Sequence, residues 1–209
     1  HVIPHGVDTD VLTPGVSSEL FFHFLGEKNL PIPTPGRIVL THGTLKESTG
    51  CLEFLQMISK VKPTSAIVVG TGHLETQLQR FAMQLQIPVI FTGMVPEDVL
   101  PSALCVADVC VYPFRDMAGV SVAVIEAMSC GRSVVATDCG SLGEVLRNGQ
   151  NALVVPRGNQ DALDASVLSL LDDPQRRDQI GAKARKEILA NWSLGVRQQA
   201  FLKALREIV

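Results

Sequence analysis

An α/β fold, with a Rossmann-like parallel six-stranded sheet covered by helices on both faces, is predicted by three observations. From residue 37 onward, short β-branched runs alternate with longer amphipathic ones, the pattern of successive βαβ units with right-handed crossovers. Several of the short runs are apolar throughout, as strands buried on both faces must be. Four of them end in small residues, at the sheet edge where such folds bind ligands.

The strand-like runs are RIVLTHG (37–43), SAIVVGTG (65–72), PVIFTGM (88–94), DVCVYPF (108–114), SVVATDC (133–139) and NALVVPR (151–157). Helical periodicity marks 50–61, 74–86, 98–107, 120–130, SLGEVLRN (141–148) and 160–172. The tail adds two amphipathic helices, 175–192 and 194–209, and no further strand. Residues 1–36, with HVIPHGVDTDVLTPG and PIPTPG, read as loop-rich. The domain organisation expected is a leading linker (1–36), a core domain (37–192) and a terminal helix (193–209).

With 209 residues, 46% of them hydrophobic, the chain has room for one sizeable core. A net charge of −3 gives no general attraction to nucleic acid or to an anionic membrane. No apolar run approaches the roughly 18 to 20 residues of a membrane span. Cys51, Cys105, Cys110, Cys130 and Cys139 lie mostly in apolar segments without C-x-x-C spacing. They read as reduced thiols, neither a disulfide frame nor a zinc site. A start at His1, without a methionine or a signal peptide, predicts a fragment lacking its N-terminal part.

Among the motifs, GTGHLE (70–75) offers two glycines of a dinucleotide fingerprint but Glu75 in place of the third, which argues against an NAD site. Asp8 and Asp10 form a D-x-D pair without a third ligand, so a turn is the better reading. His1, His5, His23, His42 and His73 show no ligand spacing. His42 and His73 follow strand ends and read as solvated loop histidines. Asn191-Trp192-Ser193 is formally a glycosylation sequon, with Trp192 expected to anchor its helix by packing. The small residues in THGT, GTG, FTGM and RDMAGVS admit close approach of a ligand, although tight turns also require them.

One charge stands out in the apolar helix 118–131: Glu126. From a helix start near Ser121, its side chain lies about 8 Å along the axis and leans back toward the sheet edge. A carboxylate there repels phosphate but accepts hydrogen bonds from two vicinal hydroxyls, which suits a ribose. The alternative is a structural pairing with a backbone amide or an arginine.

VIPHGVDTDVL (2–12), GTLKESTG (43–50), FTGMVP (91–96), IEAMSCGRSVVATDCGSLGEV (125–145) and NGQNALVVPRGNQDAL (148–163) occur in order, followed by LLDDP (170–174) and ANWSL (190–194). Together they resemble the C-terminal half of GT-B fold retaining glycosyltransferases of the sucrose-synthase-like and mannosyltransferase-like family. The resemblance implies a domain that binds a nucleotide-sugar such as a UDP-, GDP- or ADP-sugar, and an N-terminal acceptor-binding domain of the same protein. It implies retention of anomeric configuration, no essential metal, no cofactor, and a cytoplasmic location, with attachment at the inner face of a membrane through the other half as an option. It implies further that Glu126 binds the donor ribose, that Met94 and Val95 lie where the base sits, and that Gly119, Val120, Ser121 and Val122 lie near sugar and diphosphate. Gly43 and Gly70 belong to the small-residue turns of the same edge. An apolar face on the terminal helix (Val196, Phe201, Leu205) would favour self-association of the fragment.

Three departures from the family pattern matter. Its first glutamate, eight residues before Glu126, is Ala118 here, and its diphosphate-binding arginine and lysine are Thr44 and Thr49. Losing two charge-assisted hydrogen bonds of roughly 1.5 to 3 kcal/mol each weakens binding by roughly two to four orders of magnitude. Either Lys46, Arg115, His42 or His73 supplies replacement charge and the domain is active, or the site is degenerate and the domain is a scaffold or regulatory module.

Overall fold

All six strand-like runs form strands in the computed structural model, which describes residues 3 and 5–207. They are β1 (Ile38–His42), β2 (Ser65–Val69), β3 (Val89–Gly93), β4 (Val109–Tyr112), β5 (Ser133–Thr137) and β6 (Leu153–Val155). Every pairing is parallel and the order is β3-β2-β1-β4-β5-β6. The order reverses between β1 and β4, which are neighbours through Val39 opposite Val109 and Leu40 opposite Cys110. A crevice at such a reversal is where open α/β sheets bind ligands.

Side chains alternate along each strand, so the sheet supplies both cores. Val39 packs with Phe54, Leu55, Leu78, Val167 and Leu170 on one face. Ile38 and Leu40 pack with Leu104, Ile125, Ala184 and Ile188 on the other. The first face is covered by α2 (Cys51–Val61), α3 (Glu75–Gln84) and α6 (Gln160–Asp172), the second by α4 (Leu100–Val106), α5 (Val122–Ser129) and most of α7 (Pro174–Asn191).

Local sequence explains the helix starts. Ser121 accepts the Val124 N–H, Asn159 the Ala162 N–H and Asp173 the Arg176 N–H, each the capping bond that an unpaired first turn needs. Pro174 follows its cap at the first helical position, where its missing N–H costs nothing. Ser193 does the same for α8 (Leu194–Arg206). Phe201 and Leu205 of α8 are exposed. His1 and the last two residues of the tail helix, expected to reach 209, lie outside the described residues.

Two details differ from expectation. The leading segment, expected to be loop-rich, also contains α1 (Glu19–Glu27), whose Phe21, Phe24 and Leu25 are buried in the second core. Residues 141–148, expected as a helix, form only a 3-10 turn, Leu142–Glu144. There Asn151 accepts the Arg147 N–H at 2.7 Å and donates to the Val145 carbonyl at 3.0 Å, so a side chain satisfies the groups a helix would pair.

The leading segment is held along its length. Val7 donates to the Trp192 carbonyl and accepts from the Leu194 N–H. The Arg185 guanidinium donates to the carbonyls of Thr9 and Leu12, both at 2.7 Å, and to that of Ser129 at 2.8 Å. Asp8 accepts the Asp10 and Val11 N–H groups in the expected turn. Trp192 is buried in the second core, as expected. All five cysteines are free thiols, and Cys105 alone is not fully buried.

Candidate functional site

The reversal point places the end of β1 and the start of α5 side by side. His42, the last residue of β1, is buried, with only 9% of its surface exposed. Its Nε2 lies 3.0 Å from Glu126 Oε2 and its Nδ1 lies 2.8 Å from the Tyr112 hydroxyl at the end of β4. Burial, and then the charges of Cys110 and Glu126, push the Tyr112 phenol well above its ordinary range. Tyr112 therefore keeps its proton and donates to Nδ1, which leaves the proton on Nε2 to face Glu126. Tyr112, His42 and Glu126 thus form one directional chain that holds the carboxylate by a single oxygen.

The reading of His42 as a solvated loop residue is corrected: it is a buried strand residue. Its partner Glu126 stands 84 residues away. The pairing weighed for Glu126 was with an amide or an arginine, and the observed partner is this histidine. The Glu126 side chain keeps 21% of its surface exposed. It lines a cleft of about 660 Å³ bounded also by Val122 of α5, Leu100 of α4, Glu97 and Asp98 between β3 and α4, and Asp8 of the leading segment.

Two loops flank the crevice. The first, 43–50, has its polar groups paired, some within the loop and others with neighbouring segments. The Thr49 hydroxyl has one proton and two acceptors within reach, the Thr44 and Lys46 carbonyls, and it also meets Cys51 Sγ at 3.2 Å. Leu45 donates to Thr71 and accepts from Leu74. Gly50 closes the loop with φ +72°, and a Cβ there would lie 1.7 Å from the Pro113 carbonyl oxygen. Thr44 and Lys46 are exposed on this loop. The Gly43 N–H is bonded to Val69, yet a side chain at Gly43 would meet open space.

The second loop, 115–121, is tied at its start, where the Arg115 and Asp116 N–H groups donate to the Ser48 carbonyl at 2.9 and 3.3 Å, and open at its end. Among the described residues, the N–H groups of Gly119, Val120, Ser121 and Val122 have no hydrogen-bond partner. They stand at the N-terminus of α5, where the helix dipole favours negative charge. A Cβ on Gly119 would meet nothing within 4 Å. Ala118, at the family's first-glutamate position, is exposed.

Arg115 does not join the group around Glu126. Its Nε is bonded to Glu53 Oε1 of α2. It lines a separate cavity of about 410 Å³ with Arg157 and Asn159, beyond the end of β5. Gly70 is explained by chain packing: its N–H donates to Gly93, and a Cβ would lie 2.0 Å from the Gly43 carbonyl oxygen. His73 is exposed, as expected, and pairs with Glu47 at 2.9 Å. The Glu47 carboxyl is held below its ordinary value by its own backbone hydrogen bond, then by His73. Met94 is 67% exposed just after β3, and Val95 is half-buried beside it.

Sequence reasoning missed Tyr112 and Lys28. The Lys28 ammonium sits over the Phe24 ring at 5.1 Å and is the nearest group to a Cβ placed on Gly93, at 3.8 Å. Lys28 caps α1, which has no clear helical signal in the sequence, so nothing there points to it. Among the described residues no cluster of histidine, cysteine or carboxylate side chains is arranged to hold a metal. No helix among them is long and apolar enough to cross a membrane.

Comparison with known proteins agrees with this geometry. Residues 36–173 match the family model "Glycosyl transferases group 1". The chain is 30% identical to a GDP-mannose-dependent alpha-(1-6)-phosphatidylinositol monomannoside mannosyltransferase of Mycolicibacterium smegmatis, over 98% of this chain and 56% of the relative. It is 24% identical to an alpha-D-kanosaminyltransferase of Streptomyces kanamyceticus, over 82% of this chain and 46% of that protein. The chain thus spans about half the length of the curated relatives it matches. Anabaena Alr3699/HepE, solved in complex with UDP-glucose, superposes with a TM-score of 0.86 at 19% identity, over 99% of this chain and 57% of its own. The sucrose-phosphate synthase of Thermosynechococcus elongatus superposes at 0.84 with 21% identity, over 100% of this chain and 52% of its own. These two likenesses establish a shared GT-B-type fold. With the matched region covering most of the chain, and a relative 30% identical over nearly all of it, the protein belongs to the glycosyl transferases group 1 family.

Proposed function

We propose that this chain is the nucleotide-sugar-binding half of a retaining glycosyltransferase, which transfers a sugar from a nucleoside diphosphate sugar to a sugar, lipid or protein acceptor. The acceptor is held by an N-terminal domain, and the enzyme works at the cytoplasmic face. The observation that carries the reading is the Tyr112–His42–Glu126 chain at the reversal point, beside a row of unbonded amides. Glu126 has one oxygen engaged by His42 and the other free to accept from vicinal ribose hydroxyls. The amides of residues 119–122 receive phosphate oxygens at the start of α5. Met94 and Val95 offer an apolar surface for the base. Lys46, exposed on the loop 43–50, replaces part of the charge missing at Thr44 and Thr49. No residue is assigned as a catalytic base, and no metal or cofactor is required.

A second reading is favoured by two specific observations. The Thr49 hydroxyl is consumed by its own loop and the Arg115 charge by Glu53, so the first offers no hydrogen bond and the second no charge to a diphosphate. On that reading the domain is a degenerate scaffold or regulatory module. Calorimetric titration with GDP, UDP and ADP separates the two, with GDP tried first because several relatives are named as GDP-mannose-dependent. Micromolar binding of one nucleotide, weakened about ten- to a hundredfold in Glu126→Ala, supports the donor site, since a charge-assisted hydrogen bond contributes roughly 1.5 to 3 kcal/mol. No binding of any of the three gives the scaffold reading the lead.

A further inference from the structure

We infer that Lys28 determines which nucleobase this chain accepts: its ammonium reads the carbonyl oxygen O6 of guanine and so selects a guanine nucleotide over an adenine one. The inference rests on the donor-site reading proposed above, and gives a task to a residue of the leading segment that the fold alone leaves without one. Lys28 is the C-cap of α1 and is exposed. Its Nζ stands 5.1 Å from the centre of the Phe24 ring, which is itself buried in the second core. A cation over an aromatic face is attracted by the ring's quadrupole, so the ammonium has a preferred place. Among the described residues it has no carboxylate partner, and the neighbouring Glu27 is paired with His23.

That place is the rim of the surface proposed for the base. A Cβ on Gly93, the last residue of β3, would meet Lys28 Nζ at 3.8 Å, Thr71 Cγ2 at 4.0 Å and nothing else within 4 Å. The space beside the strand end is therefore open, with a cation at its edge. Met94 follows at once, 67% exposed, and then the half-buried Val95. The Gly93 carbonyl is already spent, accepting from the Gly70 N–H and from the Thr92 hydroxyl, both at 2.9 Å. Lys28 is the charged donor at this rim.

Strand order decides which edge of a base meets it. β3 lies two strands from β1, about 10 Å at the usual spacing between neighbours. With the ribose at Glu126 beside β1, the base reaches outward past β2, and its edge farthest from the sugar arrives at β3. In guanine that edge carries O6, an acceptor, with N7 beside it; in adenine it carries an amino group, a donor. A lysine ammonium has three donors and no acceptor. It bonds guanine O6, and it faces the adenine amino group donor to donor. Uracil also carries a carbonyl on its far edge, but its single ring leaves that oxygen short of the ammonium. Because Phe24 already holds the cation near its working position, less side-chain freedom is lost when the base arrives.

Calorimetric titration of the folded chain with GDP, inosine diphosphate, UDP and ADP, beside Lys28→Met, Lys28→Arg and Glu126→Ala, tests this. Inosine diphosphate shares O6 and N7 with GDP, so the two should bind within about threefold of each other, and ADP at least about tenfold more weakly. Lys28→Met should weaken GDP about tenfold or more and leave ADP within about twofold, whereas Lys28→Arg keeps the preference. Glu126→Ala acts through the ribose, and should weaken every nucleotide alike without changing their order. An unchanged GDP-to-ADP ratio in Lys28→Met, or an equal loss for all four nucleotides there, overturns the role of Lys28 while the donor-site reading stands. UDP or ADP as the tightest ligand of the unaltered chain does the same. No binding of any nucleotide overturns both.

Discussion

Two loops border the same crevice and differ in what they do with their polar groups. The loop 43–50 is tied down by protein partners: Thr49 serves the Thr44 and Lys46 carbonyls, Leu45 is bonded to Thr71 and Leu74, the Ser48 carbonyl accepts from Arg115 and Asp116, and Gly50 is pressed against Pro113. The loop 115–121 leaves the N–H groups of residues 119–122 unbonded at the start of a helix, among the described residues. Gly50 and Gly119 therefore serve opposite ends on the two sides. Gly50 admits the approach of the Pro113 backbone, whereas Gly119 leaves room for something from outside.

The largest expected effect separates the glycines. Gly50→Ala forces a Cβ into the Pro113 carbonyl at a left-handed backbone angle, so we expect a loss of about 4 kcal/mol or more in urea unfolding. A loss under about 1 kcal/mol would show that the first loop is not locked. His42→Ala comes next. It strands the buried Tyr112 hydroxyl and frees Glu126, for an expected cost of about 2 to 4 kcal/mol; unchanged stability would mean that the three-residue chain does not hold the crevice together.

Gly119→Ala meets open space, so only its φ of +77° is penalised, at about 1 kcal/mol. Nucleotide binding should nevertheless fall about tenfold as the methyl group covers the free amides; unchanged affinity would move the diphosphate elsewhere. Thr49→Val removes hydrogen bonds internal to the first loop, costing about 1 kcal/mol in unfolding with affinity held within about twofold. A larger drop in affinity would put Thr49 in contact with ligand. Smallest of all, Arg115→Ala breaks a pair whose arginine side chain is 56% exposed. We expect under about 1 kcal/mol and no change in calorimetric affinity, and a tenfold weakening would restore Arg115 as a phosphate ligand.

The strands were legible because burial on both faces writes an uninterrupted β-branched run, as in Ser65–Val69. Helix α1 was not, because Glu19–Glu27 combines three phenylalanines with a glycine between proline-rich stretches and carries little intrinsic helix preference. It is helical because Phe21 and Leu25 have a core to enter. The position of Glu126 at the site edge could be read from helix geometry alone. Its partner could not, since His42 comes from a different strand and no local pattern links them. Arg115 shows the same gap: it lies near the expected loop in sequence, yet its charge is taken by Glu53, 62 residues earlier.

His42 ends β1, which is paired on both sides, to β2 and to β4. Edge strands and loops open by cheap local fluctuations, whereas a central strand opens only when the whole sheet does. Glu126 is therefore tethered to the part of the molecule that comes apart last. In amide exchange, the β1 protons beside the crevice should persist among the slowest, while those of residues 119–122 are lost at once. Rigid anchor and freely exchanging amides then lie side by side, so an incoming nucleotide meets one wall already set and one that it must still order.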